Sequence, residues 1–109
     1  IYLDSPLAIK AKALYDRHPE LNDETLDDPG ELRQFVRDLR TLELCESADE
    51  SRALNGVRGP CAIIAGSGMA NGGRILHHLR HNLWKPDTAV LIVGYQGEGT
   101  LGRALVDGA

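Results

Sequence analysis

A chain of 109 residues, 42% of them apolar, suffices for one domain, and roughly two-thirds of the unfolded surface can be buried at that length without a disulfide or metal staple. Twelve Lys+Arg against sixteen Asp+Glu leave a net charge of −4, which argues against strong non-specific binding of nucleic acid. No apolar stretch approaches the roughly 20 residues of a membrane-spanning helix, and no basic leader precedes a hydrophobic run.

The charge is uneven. Residues 1–60 hold thirteen acids and eight bases, whereas residues 61–109 hold three acids, four bases and His77, His78 and His81, so a polyanion would meet the second half. Cys45 and Cys61 lie in apolar surroundings without CxxC spacing or a histidine at ligand spacing, and read as buried reduced thiols of a cytoplasmic protein. Met69 is the single methionine, and the chain opens on a strand-like run and stops just after a helix-like one. It reads as a piece of a longer polypeptide.

In chain order, "IYLDSP" is an apolar strand followed by Ser5 as helix cap and Pro6 at the first helical position, where its missing N–H costs nothing. Leu7, Ala11, Leu14 and Tyr15 then form the stripe of a helix packed on a sheet, ending near His18-Pro19. "PELNDETLDDPG" is an acidic, proline-bounded connection, and Leu32, Phe35, Val36 and Leu39 mark a second amphipathic helix.

"TLELCES" is a short strand, after which Ser47 and Glu50 make a capping box for a helix closed by Asn55-Gly56. Residues 61–66, "CAIIAG", and 88–94, "TAVLIVG", are continuous apolar runs, expected of central strands covered on both faces. Each precedes a glycine-rich turn and a helical pattern, residues 72–83 and 100–107. The alternation predicts an α/β fold with a mainly parallel, helix-covered sheet of the Rossmann-like three-layer kind. In such sheets ligands gather beyond the carboxyl ends of the strands, so "GSGMANGG" and "YQGEGT" should share one edge.

Several chemistries fail on particular residues. Gly68 and Gly73 have Walker spacing, but Arg74 and Ile75 replace the lysine and hydroxyl that phosphate and magnesium require. GxGxxG starts with Gly66 and Gly68 but meets Asn71 at its third glycine. Ser67 would be a nucleophile-elbow serine only if glycines stood where Ala65 and Met69 are. His77 and His81 are spaced i, i+4, yet His78 stands where a zinc peptidase has glutamate, and no third ligand is evident. The periodicity places Arg74, His77, His78 and His81 away from the helix's buried face. What survives is general: N–H groups at a glycine-rich helix start attract anions, and Arg74 sits in the first turn. A tight strand-to-helix turn with no ligand explains the glycines equally well.

"IYLDSPLAIKAKALY", "ADESRALN", "CAIIAGSGMANGGRILHHLRHNL" and "VLIVGYQGEGTLGRALVDGA" resemble successive blocks of the β-CASP domain, an insertion in metallo-β-lactamase-fold nucleases that process RNA. The resemblance covers nearly all of residues 1–109, least in 19–40. It implies a two-lobed enzyme in which a metallo-β-lactamase lobe holds two zinc ions and this lobe closes over single-stranded RNA. No HxHxDH occurs in these residues, so no catalytic residue and no cofactor is assigned to them. On that resemblance Ser67, Gly68 and Arg74 from the first turn, and Tyr95, Gln96, Thr100 and Arg103 from the second, are the candidates for lining the RNA entry. Backbone N–H and arginine contacts position phosphates, and Tyr95 can stack a base. Two other readings compete. One is a stand-alone anion- or nucleotide-binding module. The other is a protein-interaction domain using the histidine-bearing helix face, with a second copy of the chain as one partner.

Overall fold

The structure, a computed structural model, describes residues 1–18 and 39–108. The helix expected on Leu32, Phe35 and Val36, and the acidic connection before it, lie outside the described residues.

β1 (Tyr2–Asp4) ends at Ser5, whose side chain accepts the Ala8 N–H as helix α1 (Pro6–Arg17) begins with Pro6 in its first turn. After a short turn of 3-10 helix (Leu39–Thr41) come β2 (Glu43–Leu44) and α2 (Ala48–Ala53). The Ser47 and Glu50 capping box forms as expected: the Ser47 hydroxyl accepts the Glu50 N–H at 3.1 Å, and the Glu50 carboxylate accepts the Ser47 N–H at 2.8 Å. β3 (Ile63–Ala65), α3 (Ile75–Asn82) and α4 (Leu101–Val106) complete the elements.

The three strands form a parallel sheet in the order β2-β1-β3. Tyr2 is in register with Glu43 on one side and Ile63 on the other, and Asp4 with Ala65, so all three strands discharge at one edge. This is the expected α/β arrangement. Leu3, Cys45, Leu54, Ala70 and Leu79 are the buried apolar residues, gathered around the central strand and the elements that follow its neighbours.

Five expectations need correction. Residues 61–66 do not supply a central strand covered on both faces: β3 is an outer strand of the order β2-β1-β3, and Ile64 is 54% exposed. Residues 88–94 are not a strand: they make no ladder with the sheet, and Leu91 and Val93 are 86% and 97% exposed. An apolar run signals a need for cover but does not by itself make a ladder: β3 is an outer strand of the sheet, and residues 88–94 do not pair with its open edge. The α1 stripe is not packed either, since Leu7, Leu14 and Tyr15 are exposed and the helix has no buried residue. Cys61 is exposed, whereas Cys45 is buried as expected, its thiol pushed up in pKa first by burial and then by the nearby Asp4, Glu50 and Glu43 charges. Finally, His78 does not face solvent; it is buried beside Leu79.

The turn between β3 and α3 is held by Ser67 N–H to Gly72 O at 3.1 Å and Ile75 N–H to Gly66 O at 2.9 Å. Gly73 closes it at φ +78°, and a Cβ there would stand 2.6 Å from the Gly66 oxygen. Glycine is required at this position, both for the left-handed backbone and for the close approach. We expect Gly73→Ala to lower stability by about 2 kcal/mol or more in urea denaturation. Gly68→Ala should cost under about 0.5 kcal/mol, because a Cβ at Gly68 meets nothing within 4 Å.

Candidate functional site

At the carboxyl edge of the sheet the last residue of β1, Asp4, is fully buried at 0% exposure. A carboxylate so placed must be paired and hydrogen-bonded or it forfeits several kcal/mol of hydration. Arg74 supplies the charge, with Nη1 donating to Asp4 Oδ1 at 2.7 Å. The other oxygen, Oδ2, accepts from the Ser51 hydroxyl and from His78 Nε2, the latter at 2.5 Å. Since the single Ser51 proton goes to Asp4, His77 must donate Nε2–H to Ser51 Oγ across their 2.6 Å contact, which leaves His77 Nδ1 as an acceptor.

Arg74 does more than neutralise Asp4. Its Nη1 also donates to Ser47 O at 3.0 Å and its Nη2 reaches Glu46 O at 3.4 Å. One guanidinium therefore joins the end of β1, the turn after β2 and the start of α3. Burial pushes the Asp4 carboxyl up in pKa, but the Ser51 and His78 hydrogen bonds and the Arg74 charge outweigh it and hold the group below its ordinary value. Burial, reinforced by His78, holds His77 below its ordinary value, and the pull of Asp4 in the other direction is smaller.

Serine, histidine and aspartate in one cluster invite comparison with a nucleophilic triad. The order of contacts excludes it: the aspartate holds the serine itself, not the far nitrogen of His77, and the Ser51 proton is already given to Asp4 rather than to a histidine base. Asp4, His77 and His78 are also of metal-ligand type, with one ligand atom of each lying within 4.8 Å of the others. Asp4 thus supplies the third ligand-type group that the sequence did not reveal. The 2.5 Å separation of His78 Nε2 from Asp4 Oδ2 is that of a direct hydrogen bond, whereas two ligands of a tetrahedral zinc stand roughly 3.4 Å apart. With Arg74 on the other carboxylate oxygen, these residues do not fit a dinuclear zinc centre.

The second cluster joins the two glycine-rich turns, which share an edge as expected. Gln96 Nε2 donates to Gly68 O at 3.0 Å and to Gly94 O at 3.2 Å. Gly102 N–H bonds Met69 O at 3.0 Å, and Leu101 N–H reaches Asn71 Oδ1 at 3.4 Å. Thr100 caps α4, its hydroxyl donating to Gly97 O at 2.7 Å while accepting the Arg103 N–H at 3.1 Å.

The predicted site residues thus divide by what they touch. Ser67 and Gly68 are exposed on the first turn, with Ser67 Oγ donating to Gly72 O at 3.2 Å. Tyr95 is 78% exposed beside them, and Arg103 is exposed in a pair with Asp107 at 3.0 Å. Gln96, 6% exposed, and Thr100 hold the turns in place. Arg74 lies apart from this group, in the Asp4 cluster.

Sequence reasoning missed Asp4, Ser51 and His78. The available signal was a carboxylate at the last position of an apolar strand, which had to find a cation on a neighbouring element. It also missed a hollow of about 410 Å³ between α2 and α3, lined by Ala48, Ser51, Arg52, Asn55 and, from the other side, Arg74, His77, Arg80 and His81.

The Beta-Casp domain profile matches residues 1–105. The chain belongs to the Beta-Casp domain family. This Beta-Casp domain is 43% identical over 108 residues to Ribonuclease TTHA0252 of Thermus thermophilus, a match covering 97% of the chain and 25% of the relative. It is 45% identical over 64 residues to an RNase J-like protein of Methanocaldococcus jannaschii, covering 59% of the chain and 14% of the relative. With transcription termination factor FttA of the same organism it shares 32% over 116 residues, 99% of the chain and 17% of the relative. The domain therefore spans about a quarter or less of the length of these relatives.

Asp4→Asn keeps the shape of the side chain but strands the Arg74 charge, and should cost on the order of 3 kcal/mol in denaturant unfolding. Arg74→Lys should recover little, because one ammonium cannot reach Asp4 and both carbonyls together. The same cluster sets an acid limit. His77 is lowered when folded, so its contribution is present above its ordinary value of 6.5 and is lost as pH falls through the folded value; Asp4 adds a further loss below its ordinary 3.8. Thermal midpoints should fall as pH drops below 6.5, and His77→Gln should flatten the first part of that decline.

Proposed function

We propose that this Beta-Casp domain is the substrate-covering lobe of a metallo-β-lactamase-fold ribonuclease and contacts single-stranded RNA along its carboxyl edge. The observation that supports this reading is the joining of the two glycine-rich turns by hydrogen bonds, with Ser67, Gly68, Tyr95 and Arg103 each exposed on or next to them. The family membership and the ribonuclease names of the relatives support it. Phosphate is met by backbone N–H groups and by Arg103; Tyr95 offers a ring for a base. Gln96 and Thr100 are positioning residues, since their polar atoms are engaged in holding the turns.

Phosphodiester hydrolysis on this reading belongs to the full-length protein. Two zinc ions, held by a metallo-β-lactamase lobe, supply the Lewis acid and the activated nucleophile when bound. That lobe is the partner of this edge, and on this reading the catalytic ligands lie in it. The free thiols Cys45 and Cys61 favour a reducing compartment, and we assign the protein to the cytoplasm.

Fluorescence anisotropy with a single-stranded oligoribonucleotide, in chelator so that no cleavage occurs, tests the contact. Tyr95→Ala in the full-length protein should weaken binding on the order of tenfold, and Tyr95→Phe should restore it. Unchanged affinity in Tyr95→Ala would leave the tyrosine with a packing role and remove the base-stacking contact.

A further inference from the structure

The hollow between α2 and α3 has a composition that neither the turns nor the Asp4 cluster accounts for. Three arginines, Arg52, Arg74 and Arg80, and two histidines, His77 and His81, line about 410 Å³, and no carboxylate does. That volume lies within the roughly 300–1,000 Å³ of ligand sites. Elsewhere the chain carries an excess of acid, so this concentration of cations is local.

The cations differ in how far they are already engaged. Arg74 is committed to Asp4. Arg52 has only the exposed pair with Asp49, worth little to either partner. The Arg80 and His81 side chains make no hydrogen bond or ion pair among the described residues. The hollow therefore presents guanidinium donors with unspent hydrogen-bonding capacity, the chemistry that recognises a phosphate.

Acceptors stand beside these donors. Asn55 Oδ1 is buried without a hydrogen-bond partner, and the proton order in the Asp4 cluster leaves His77 Nδ1 as an acceptor. A bare anion has no use for acceptors. A hydroxyl adjacent to the phosphate does.

We propose that the α2–α3 hollow is a ribose-phosphate subsite, in which Arg80 and Arg52 hold one backbone phosphate of a single-stranded RNA and Asn55 or His77 accepts the neighbouring 2′-hydroxyl. The inference rests on the RNA-contact reading and extends it along α3. The glycine-rich turn lies at the start of that eight-residue helix and Arg80 with His81 at its end, about 12 Å further on. The strand runs along the helix, from the turns to the hollow.

Two full-length proteins, wild type and Arg52→Gln/Arg80→Gln, and two oligonucleotides of one sequence, ribose and 2′-deoxyribose, make the test. Both substituted side chains are exposed, and circular dichroism melting checks that the fold is unchanged. Anisotropy in chelator should show the double variant binding RNA about tenfold more weakly, with the slope of log Kd against log salt reduced by roughly one phosphate contact. Wild type should prefer the ribose strand by about three- to tenfold, a preference that shrinks toward unity in the variant. Inorganic phosphate and a mononucleotide, titrated as competitors, separate a site for any phosphate from one that reads the sugar. Competition by both alike, with no ribose preference, overturns the hydroxyl contact. Equal binding of RNA by variant and wild type overturns the subsite and leaves the turn contact standing. Failure of wild type to bind RNA at all removes the lobe reading and this inference together.

Discussion

A carboxylate with no exposure to water sits at the end of the central strand, and the arrangement of the functional edge follows from satisfying it. Asp4 accepts from Arg74, Ser51 and His78, and Arg74 in turn reaches the carbonyls of Glu46 and Ser47. These residues come from the turn after β2, from α2 and from α3, so the three strand ends are tied through one anion. Hydrogen bonds to a charged group inside a protein are worth more than those between neutral groups, and an unpaired charge there is costly. The edge is therefore a single unit whose parts cannot shift independently.

That constraint divides labour among the basic groups. Arg74, in the first turn of a glycine-rich helix start, has the location of an anion ligand but spends its donors on the fold. The groups not so committed lie to either side: on the joined turns and around the arginine-lined hollow between α2 and α3. Gathering Arg52, Arg74 and Arg80 around one hollow of a chain with a net charge of −4 makes the potential there locally positive. Such a distribution favours oriented binding over general adhesion to nucleic acid.

The apolar surface tells a complementary story. Leu91 and Val93 are almost wholly exposed, Leu7, Leu14 and Tyr15 of α1 are uncovered, and Trp84 borders a hollow with Leu76, Leu79, Leu83 and Leu101. The described core is small by comparison, and the hydrogen-bonded edge carries an unusual share of the definition of the fold.

Local rules read from the sequence held wherever the interaction was itself local. Ser5 with Pro6, the Ser47 and Glu50 capping box and the glycine-rich turn after β3 each depend on residues a few positions apart, and all formed. The α/β alternation followed from periodicity, while the two turns meet through the Gln96–Gly68 and Gly102–Met69 hydrogen bonds rather than as the ends of two neighbouring strands. What the tertiary structure alone decided was long-range: that Arg74 lies against Asp4, seventy positions away, that His78 is drawn inward, and that residues 88–94 join no sheet. Periodicity reports which side chains avoid water, but a buried charge chooses its partners by distance in space, and that distance exists only once the chain has folded.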